Sequence, residues 1–189
     1  MPLSPTLWND VVVVQAAFAR IVGALQPSDL ERATVNDKWT VRDVINHVVD
    51  GDHWLVRNIE TGEDVFSDTD FVGNEPASLA VTRSNAALSS ALEEILAHPE
   101  SNHGMPIEDM IAIRIEEMLG HGWDIAEATG QDRDIAPEAA GRCLERVRTK
   151  LGDAGSRGEF YKPEHGVSPD ASMADQLAAF AGKPVPATR

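Results

Sequence analysis

The stretch "EEMLGHGWD", residues 116–124, places a glutamate four residues before a histidine inside an otherwise apolar helical pattern. Around it, apolar or small residues recur at three- and four-residue steps, as on the buried face of a helix: Ile107, Ile111, Ile115, Met118, Gly122 and Ile125. A proline stands before this stripe, and the glycine of "ATGQD" follows it as a typical C-cap. We predict a helix over residues 106–129. Glu117 and His121 lie at the edge of its buried face, about 80 to 100 degrees from the stripe.

Three other segments repeat this periodicity, and we predict helices over residues 4–26, 40–61 and 76–98. The run of four valines at residues 11–14 favours a strand locally. The apolar pattern around it continues for about twenty residues, however, and that length is typical of a helix. Because the connections between the four segments carry no clear strand pattern, the sequence predicts an all-α protein built on a four-helix bundle.

The second helix begins with two recognisable local motifs. Thr40 and Asp43 have the spacing of a capping box, and Trp39 and Val44 have the spacing of a hydrophobic staple. His47 follows Val44 by three residues, so both side chains lie on one face of the helix. The pattern therefore gives Trp39 a structural role and predicts that His47 points into the bundle.

Two shorter helices are predicted beyond the bundle, at residues 137–151 and in "SMADQLAAF", residues 172–180. The segment between them, residues 152–171, is long for a connection in a compact domain, and we expect it to wrap the bundle or close over a pocket. We interpret residues 1–189 as one domain. Its bundle spans about residues 4–130, and its C-terminal helices and wrapping tail span about residues 131–189.

The composition limits the classes of partner. The chain carries 31 acidic and 16 basic side chains, a formal net charge of −15. Such a surface repels phosphate backbones and anionic lipid headgroups, so neither nucleic acid nor a membrane is an expected partner. The sequence shows neither an export signal nor an apolar run of the roughly 18 residues that a membrane span needs. We expect a cytoplasmic protein, with the single Cys143 as a small buried hydrophobic side chain.

His47, Glu117 and His121 are the candidate metal ligands. A Glu/His pair four residues apart can arise by chance, and a core histidine bonded to a carbonyl is common. Burying an ionised glutamate costs several kcal/mol unless the charge is paired, however, and a divalent cation would offset that cost. Two imidazole nitrogens and one carboxylate oxygen match a catalytic zinc site with an open position. The same set also suits non-haem Fe(II) or nickel.

Two longer motifs extend this set into a family resemblance. "KWTVRDVINHVVDGDHW", residues 38–54, and "EEMLGHGWDIAEATGQ", residues 116–131, resemble the metal-binding domain of the mycothiol-dependent maleylpyruvate isomerase family, within the DinB-like superfamily. The resemblance spans most of the chain. The tail "KPEHGVSPDASMADQLAAFAGKP", residues 162–184, is similar to the end of a branch of that family described only as metal-binding.

The resemblance implies a DinB-like four-helix bundle in which His47, Glu117 and His121 bind one divalent metal, usually zinc, at one end of the bundle. It also implies a thiol cofactor, mycothiol, and a homodimer would fit an exposed bundle face. The function expected from it is metal-dependent transfer of the thiol to a small electrophilic molecule, or isomerisation of that molecule. Little sequence remains after the fifth helix for the separate C-terminal domain of the isomerase. The alternative is a non-catalytic metal or small-ligand binding module with a structural or stress-related role.

Several other side chains are candidates for supporting roles. Asp50 and Asp124 are each either an acceptor for the second N–H of a ligand imidazole or a solvated carboxylate. Arg57 and Arg114 are either anion-holding groups or, as the many acidic neighbours favour, surface or salt-bridging side chains. The remaining histidines are expected at the surface, with His165 in the long segment that can reach a pocket: His53, His98, His103 and His165.

Overall fold

The structure, a computed structural model, describes residues 4–36, 38–67, 69–98, 100, 104–151 and 161–186. It contains a short 3-10 turn at Pro27–Glu31 and six α-helices: α1 (Pro5–Gly23), α2 (Val41–Thr61), α3 (Ala77–Ala97), α4 (Ile107–Thr129), α5 (Pro137–Leu151) and α6 (Met173–Phe180). Within those ranges, extended pairing is limited to one isolated antiparallel bridge between Ala33 and Thr40. The all-α prediction is confirmed, and the four long helices end within three residues of their predicted bounds.

Local capping fixes where α2 and α4 begin or end. The Thr40 side chain accepts from the Asp43 N–H, and the Asp43 carboxylate accepts from the Thr40 N–H at 2.8 Å, which closes the predicted capping box. Gly62 and Gly130 end α2 and α4 in the left-handed conformation, with φ of 75° and 73°. Because these ends are set by neighbouring residues, the sequence alone places His47 in the second turn of α2.

The four long helices pack around one core. Helix α1 contacts α4 and α3, and α2 also contacts α3 and α4, so the four helices form a closed ring as predicted for the bundle. The burial pattern of the four valines in α1 is that of a helix. Val11 and Val14 are buried in the core, whereas Val12 and Val13 are 47% and 42% exposed. A helical period buries only two of these four side chains, as the longer apolar pattern predicted.

The last two helices pack against the same core. Helix α5 contacts α6, α4 and α1, and α6 also contacts α4. The indole N–H of Trp123 on α4 donates to Asp175 Oδ1 of α6 at 2.7 Å. Cys143 of α5 is buried, as predicted, and burial raises the pKa of its thiol to about 12. Residues of α5 and α6 therefore share one hydrophobic cluster with the bundle.

The long segment before α6 lies partly outside the described residues, which exclude 152–160. Its described part, residues 161–171, runs beside α6. The Tyr161 ring packs against Phe180, and the His165 N–H donates to the Ala179 carbonyl at 3.0 Å. In the described part of the chain, none of the helices combines the length and apolar character that a membrane span requires.

Candidate metal centre

Helices α2 and α4 bring the three predicted ligands together. His47 projects from α2, and Glu117 and His121 project from neighbouring turns of α4. Glu117 Oε2 lies 3.0 Å from His47 Nε2 and 3.2 Å from His121 Nε2. One ligand atom from each residue lies within 4.8 Å of the other two. Seventy positions separate His47 from Glu117 in the chain, so the packing of α2 on α4 creates this cluster.

The spacing of these atoms suits one small cation. Two ligands about 2.1 Å from a tetrahedral ion stand about 3.4 Å apart, close to both measured nitrogen–oxygen distances. The donor set, two imidazoles and one carboxylate, is a common one for zinc. The side chains of His47 and Glu117 are 32% and 34% exposed, and that of His121 is 15% exposed. The cluster is therefore open to solvent on one side, where a further ligand can approach.

His121 is oriented from behind by Asp124. His121 Nδ1 lies 3.1 Å from Asp124 Oδ2, and because a carboxylate only accepts, Nδ1 carries the hydrogen. Nε2 is then the ring nitrogen that faces Glu117. Asp124 is fully buried and also accepts from Asn36 Nδ2 at 2.5 Å and from Lys183 Nζ at 2.7 Å. Of the two interpretations of Asp124, the structure agrees with the contact to an imidazole, an arrangement typical of metal-binding histidines.

Both interpretations of Asp50 were wrong. This buried carboxylate neither contacts His47 nor faces solvent. It accepts from the backbone N–H and the hydroxyl of Ser67, at 2.8 and 2.9 Å, and lies 3.7 Å from the Arg57 guanidinium. The reason is tertiary, because the connection between α2 and α3 folds back over α2 and brings Ser67 to Asp50.

The charges within the cluster stabilise one another. Burial alone would raise the pKa of Glu117, but hydrogen bonds from His121 and His47 hold that pKa well below its ordinary value. Burial opposes the charged form of His121 too, yet its contacts with Asp124 and Glu117 raise the pKa of this imidazole. The pKa of Asp124 is lowered against the effect of burial, by His121 and Lys183.

The two arginines have protein partners. Arg114 is 2% exposed, and its guanidinium lies 2.8 Å from Asp52 Oδ1 and donates to the Val48 carbonyl at 2.9 Å. Arg57 donates to the Val65 carbonyl at 2.6 Å. The structure thus agrees with the salt-bridging interpretation of Arg114, which lies in the interior and not at the surface. Both guanidiniums face a carboxylate of the protein, Asp52 for Arg114 and, at 3.7 Å, Asp50 for Arg57.

Two aromatic rings that the sequence pattern did not predict lie beside the cluster. The Trp39 ring centroid lies 4.9 Å from that of His47 and 5.9 Å from that of His121, so this residue does more than start α2. The Phe66 ring lies 6.4 Å from the His47 ring and is nearly parallel to it. Helical periodicity carries no signal for either contact, because both residues lie outside the helices.

Two polar contributors were also missed. Asn36 precedes α2, and Lys183 follows α6, yet both donate to the Asp124 carboxylate. Lys183 lies 59 positions from Asp124, and no local pattern joins the two.

The other histidines lie apart from this cluster or outside the described residues. His53 stacks on Phe71, with ring centroids 4.8 Å apart, and is half-buried. His98 is exposed near Glu94 and Glu100, and His165 is exposed beside α6. The predicted surface position of His103 concerns a residue outside the described ranges. Among the described residues, His47, Glu117 and His121 form the one group of three or more candidate side chains with metal-ligand spacing.

Comparison with known proteins agrees with the resemblance noted from the sequence motifs. The family model described as "Mycothiol maleylpyruvate isomerase N-terminal domain" matches residues 13–126, which include all of α2, α3 and the three clustered side chains. The chain belongs to this family, whose members are DinB-like helical proteins.

Two curated relatives are uncharacterized proteins of Mycobacterium tuberculosis, from strains CDC 1551 and H37Rv. Each is 30% identical to this chain over 176 residues, which cover 90% of this chain and 94% of the relative. No solved structure matches the chain with significance. The similarity to these relatives therefore covers more of the chain than the family model does.

Proposed function

We propose that this member of the mycothiol maleylpyruvate isomerase N-terminal domain family binds one divalent metal ion, zinc by best fit, through His47, Glu117 and His121. The observation that carries the proposal is the position of Glu117 Oε2, 3.0 and 3.2 Å from an Nε2 atom of each histidine. Nickel and Fe(II) accept the same ligands. The family match supports mycothiol as the thiol that the protein uses.

A bound zinc ion supplies Lewis acidity that stabilises a thiolate at neutral pH. The chain supplies the geometry for this chemistry. Asp124 fixes the tautomer of His121 by accepting its Nδ1–H, and Lys183 and Asn36 hold Asp124 in place. The partial exposure of His47 and Glu117 lets a thiol approach from the open side. We propose that the protein transfers or adds this thiol to a small electrophilic molecule.

Calorimetric titration of zinc into three metal-stripped proteins tests the proposal: the unmodified chain, His121→Ala and His53→Ala. The unmodified chain should bind one zinc ion per chain. His121→Ala should lose metal affinity by orders of magnitude, because one of three protein ligands is gone. His53→Ala is the matched control, since this histidine lies on α2 but stacks on Phe71 outside the cluster. Equal zinc affinity in all three proteins would contradict the metal centre.

Mycothiol is then titrated into the zinc-loaded and metal-stripped forms of the unmodified chain. Tight binding to the loaded form and far weaker binding to the stripped form would support thiol activation. Equal binding to both forms, or binding to neither at millimolar thiol, would instead favour the non-catalytic binding module, because the metal would then contribute nothing to thiol recognition.

A further inference from the structure

Phe66 stands out among the apolar side chains of the described residues. This residue is 54% exposed and is the one aromatic residue among the exposed large hydrophobic residues in that part of the chain. Leaving an aromatic ring in water forgoes the free energy that its burial would release. An exposed ring beside a candidate centre is therefore a candidate contact for a ligand.

The exposed position of Phe66 is held by contacts of its neighbours with α2. The Trp54 indole N–H donates to Asp64 Oδ1 at 2.7 Å, and Arg57 donates to the Val65 carbonyl at 2.6 Å. On the other side of Phe66, Asp50 accepts two hydrogen bonds from Ser67. These contacts flank Phe66 on both sides, so the ring is preorganised, and a ligand that uses it loses little conformational entropy from the protein.

The held ring lies beside the candidate metal ligands. Phe66 stacks on Trp54 with ring centroids 5.3 Å apart and planes 7° apart, and it lies nearly parallel to His47. The Trp39 ring is tilted against the same imidazole, with centroids 4.9 Å apart, and its centroid lies 5.9 Å from that of His121. Trp39 and Phe66 therefore flank His47 with apolar ring surface. We call these two residues the aromatic shelf.

The charges around the shelf argue against an anionic partner for it. Three basic groups already have protein partners, because Arg114 pairs with Asp52, Lys183 binds Asp124, and Arg57 donates to the Val65 carbonyl and lies 3.7 Å from Asp50. The chain as a whole carries a formal net charge of −15. A carboxylate placed on the shelf would meet this acidic protein, in which the guanidiniums of Arg57 and Arg114 already face the carboxylates of Asp50 and Asp52.

We infer that the electrophile accepted at this centre is an uncharged molecule with a planar apolar group, and that this group binds on the aromatic shelf of Trp39 and Phe66. The inference rests on the proposed metal-dependent thiol function, which it deepens by assigning a substrate class. Phe66 is the specificity-determining residue of the pair that can be changed without disturbing the core, since it lies in a connection and is largely exposed.

Two small hydroxamates separate this inference from the metal proposal. Benzohydroxamate and acetohydroxamate carry the same metal-binding group, and only the first carries a planar ring. Both are titrated into the zinc-loaded chain and into zinc-loaded Phe66→Ala. We expect benzohydroxamate to bind the unmodified chain about tenfold more tightly, and Phe66→Ala to lose about three- to tenfold of that affinity while its acetohydroxamate affinity is unchanged.

Val65→Ala is the matched control, because Val65 is 56% exposed, adjacent to Phe66 and without a ring. It should keep the preference for benzohydroxamate, and zinc content should be equal in all three proteins. If both probes bind the unmodified chain equally, or if Phe66→Ala keeps the full preference, the shelf is wrong while the metal centre stands. If zinc-treated protein binds neither probe, the proposed function and the inference resting on it both fail.

Discussion

Two groups of charged or titratable side chains lie at the interface of α2 and α4, and they differ in what surrounds them. Arg114 and Asp52 form a closed pair, with side chains 2% and 1% exposed and a 2.8 Å contact. Three residues further along α4, Glu117 meets His47 and His121 in a cluster whose side chains are 15% to 34% exposed. Arg114 and Asp52 form an ion pair between one guanidinium and one carboxylate. The three side chains of the cluster, by contrast, can all act as metal ligands.

The contrast separates residues that hold the helices together from residues available to a ligand. The guanidinium of Arg114 lies so close to α2 that a side chain at position 51 would collide with it, which explains Gly51 in the middle of that helix. Glycine there costs about 1 kcal/mol relative to alanine. The side chains of the open cluster are not covered in this way, so its ligand atoms remain accessible to solvent.

Breaking the closed pair should have the largest effect. Arg114→Met leaves Asp52 buried without its counter-charge, and we expect the free energy of unfolding to fall by about 3–5 kcal/mol in urea titrations. His47→Ala breaks a contact in the half-exposed cluster and should cost about 1 kcal/mol or less in the metal-free protein.

A double variant tests the cause of that loss. Replacing the pair together, Arg114→Met with Asp52→Leu, should recover most of the stability lost in Arg114→Met, because no buried charge then remains alone. Similar losses in Arg114→Met and His47→Ala would remove the distinction between the closed pair and the open cluster.

A smaller effect is expected behind the open cluster, at Lys183. Its ammonium group binds Asp124 Oδ1 at 2.7 Å and the Gly120 carbonyl at 2.9 Å. In Lys183→Met, Asp124 is held less firmly and orients His121 less well, so zinc affinity should fall about tenfold. Competition with a chromogenic chelator measures this change.

Lys183→Arg should keep most of the zinc affinity, and Lys150→Met, at an exposed position of α5, should keep all of it. An unchanged zinc affinity in Lys183→Met would mean that the contact from Asn36 is enough to hold Asp124.

The smallest effect concerns Glu116, which neighbours Glu117 but lines a different cleft, of about 160 Å³, beside Cys143. Burial, reinforced by the charge of Glu117, raises the pKa of Glu116 from an ordinary value of 4.5 to about 7. Ionising this carboxyl in the folded protein therefore costs stability. The cost is absent below about pH 4.5 and is complete above about pH 7.

Glu116→Gln removes the charge, so the metal-free variant should gain about 1 kcal/mol at pH 8 and nothing at pH 4. Thermal unfolding at the two pH values measures the difference. Glu93→Gln, at an exposed position of α3, should show no such pH dependence. A gain of equal size at both pH values would point to packing and not to charge.

Much of the fold could be predicted because it depends on residues close together in the chain. The capping box of Thr40 and Asp43, the C-cap glycines at 62 and 130, and the apolar stripe of α4 are all local patterns. The same locality made Glu117 and His121 visible as a pair, since four residues on a helix always bring two side chains to one patch. The position of His47 within α2 followed from the helix start.

Other parts of the candidate site could not be predicted because their contacts join distant segments. Asp50 lies three residues after His47 on α2 and was a candidate acceptor for its ring N–H, but its carboxylate instead accepts two hydrogen bonds from Ser67. The contact of Asp124 with His121 joins residues only three positions apart. Its contacts with Asn36 and Lys183 join residues 88 and 59 positions apart, so no local pattern predicts them. Arg114 lies only three residues before Glu117 on α4, and no local pattern showed that Arg114 would be buried against Asp52 while Glu117 stays partly exposed.

The sequence by itself determined the helices and their ends, because short-range steric and hydrogen-bonding preferences set both. It also carried the residue types and helical positions that mark three candidate ligands. Only the tertiary structure decided that α2 packs on α4 so that His47 Nε2 stands 3.0 Å from Glu117 Oε2. It also placed the exposed Phe66 ring next to the His47 ring and the Asp124 carboxylate within hydrogen-bond distance of His121 Nδ1. The physical reason is that helix packing, which buries apolar area without regard to sequence distance, fixes which polar edges face each other and which face water.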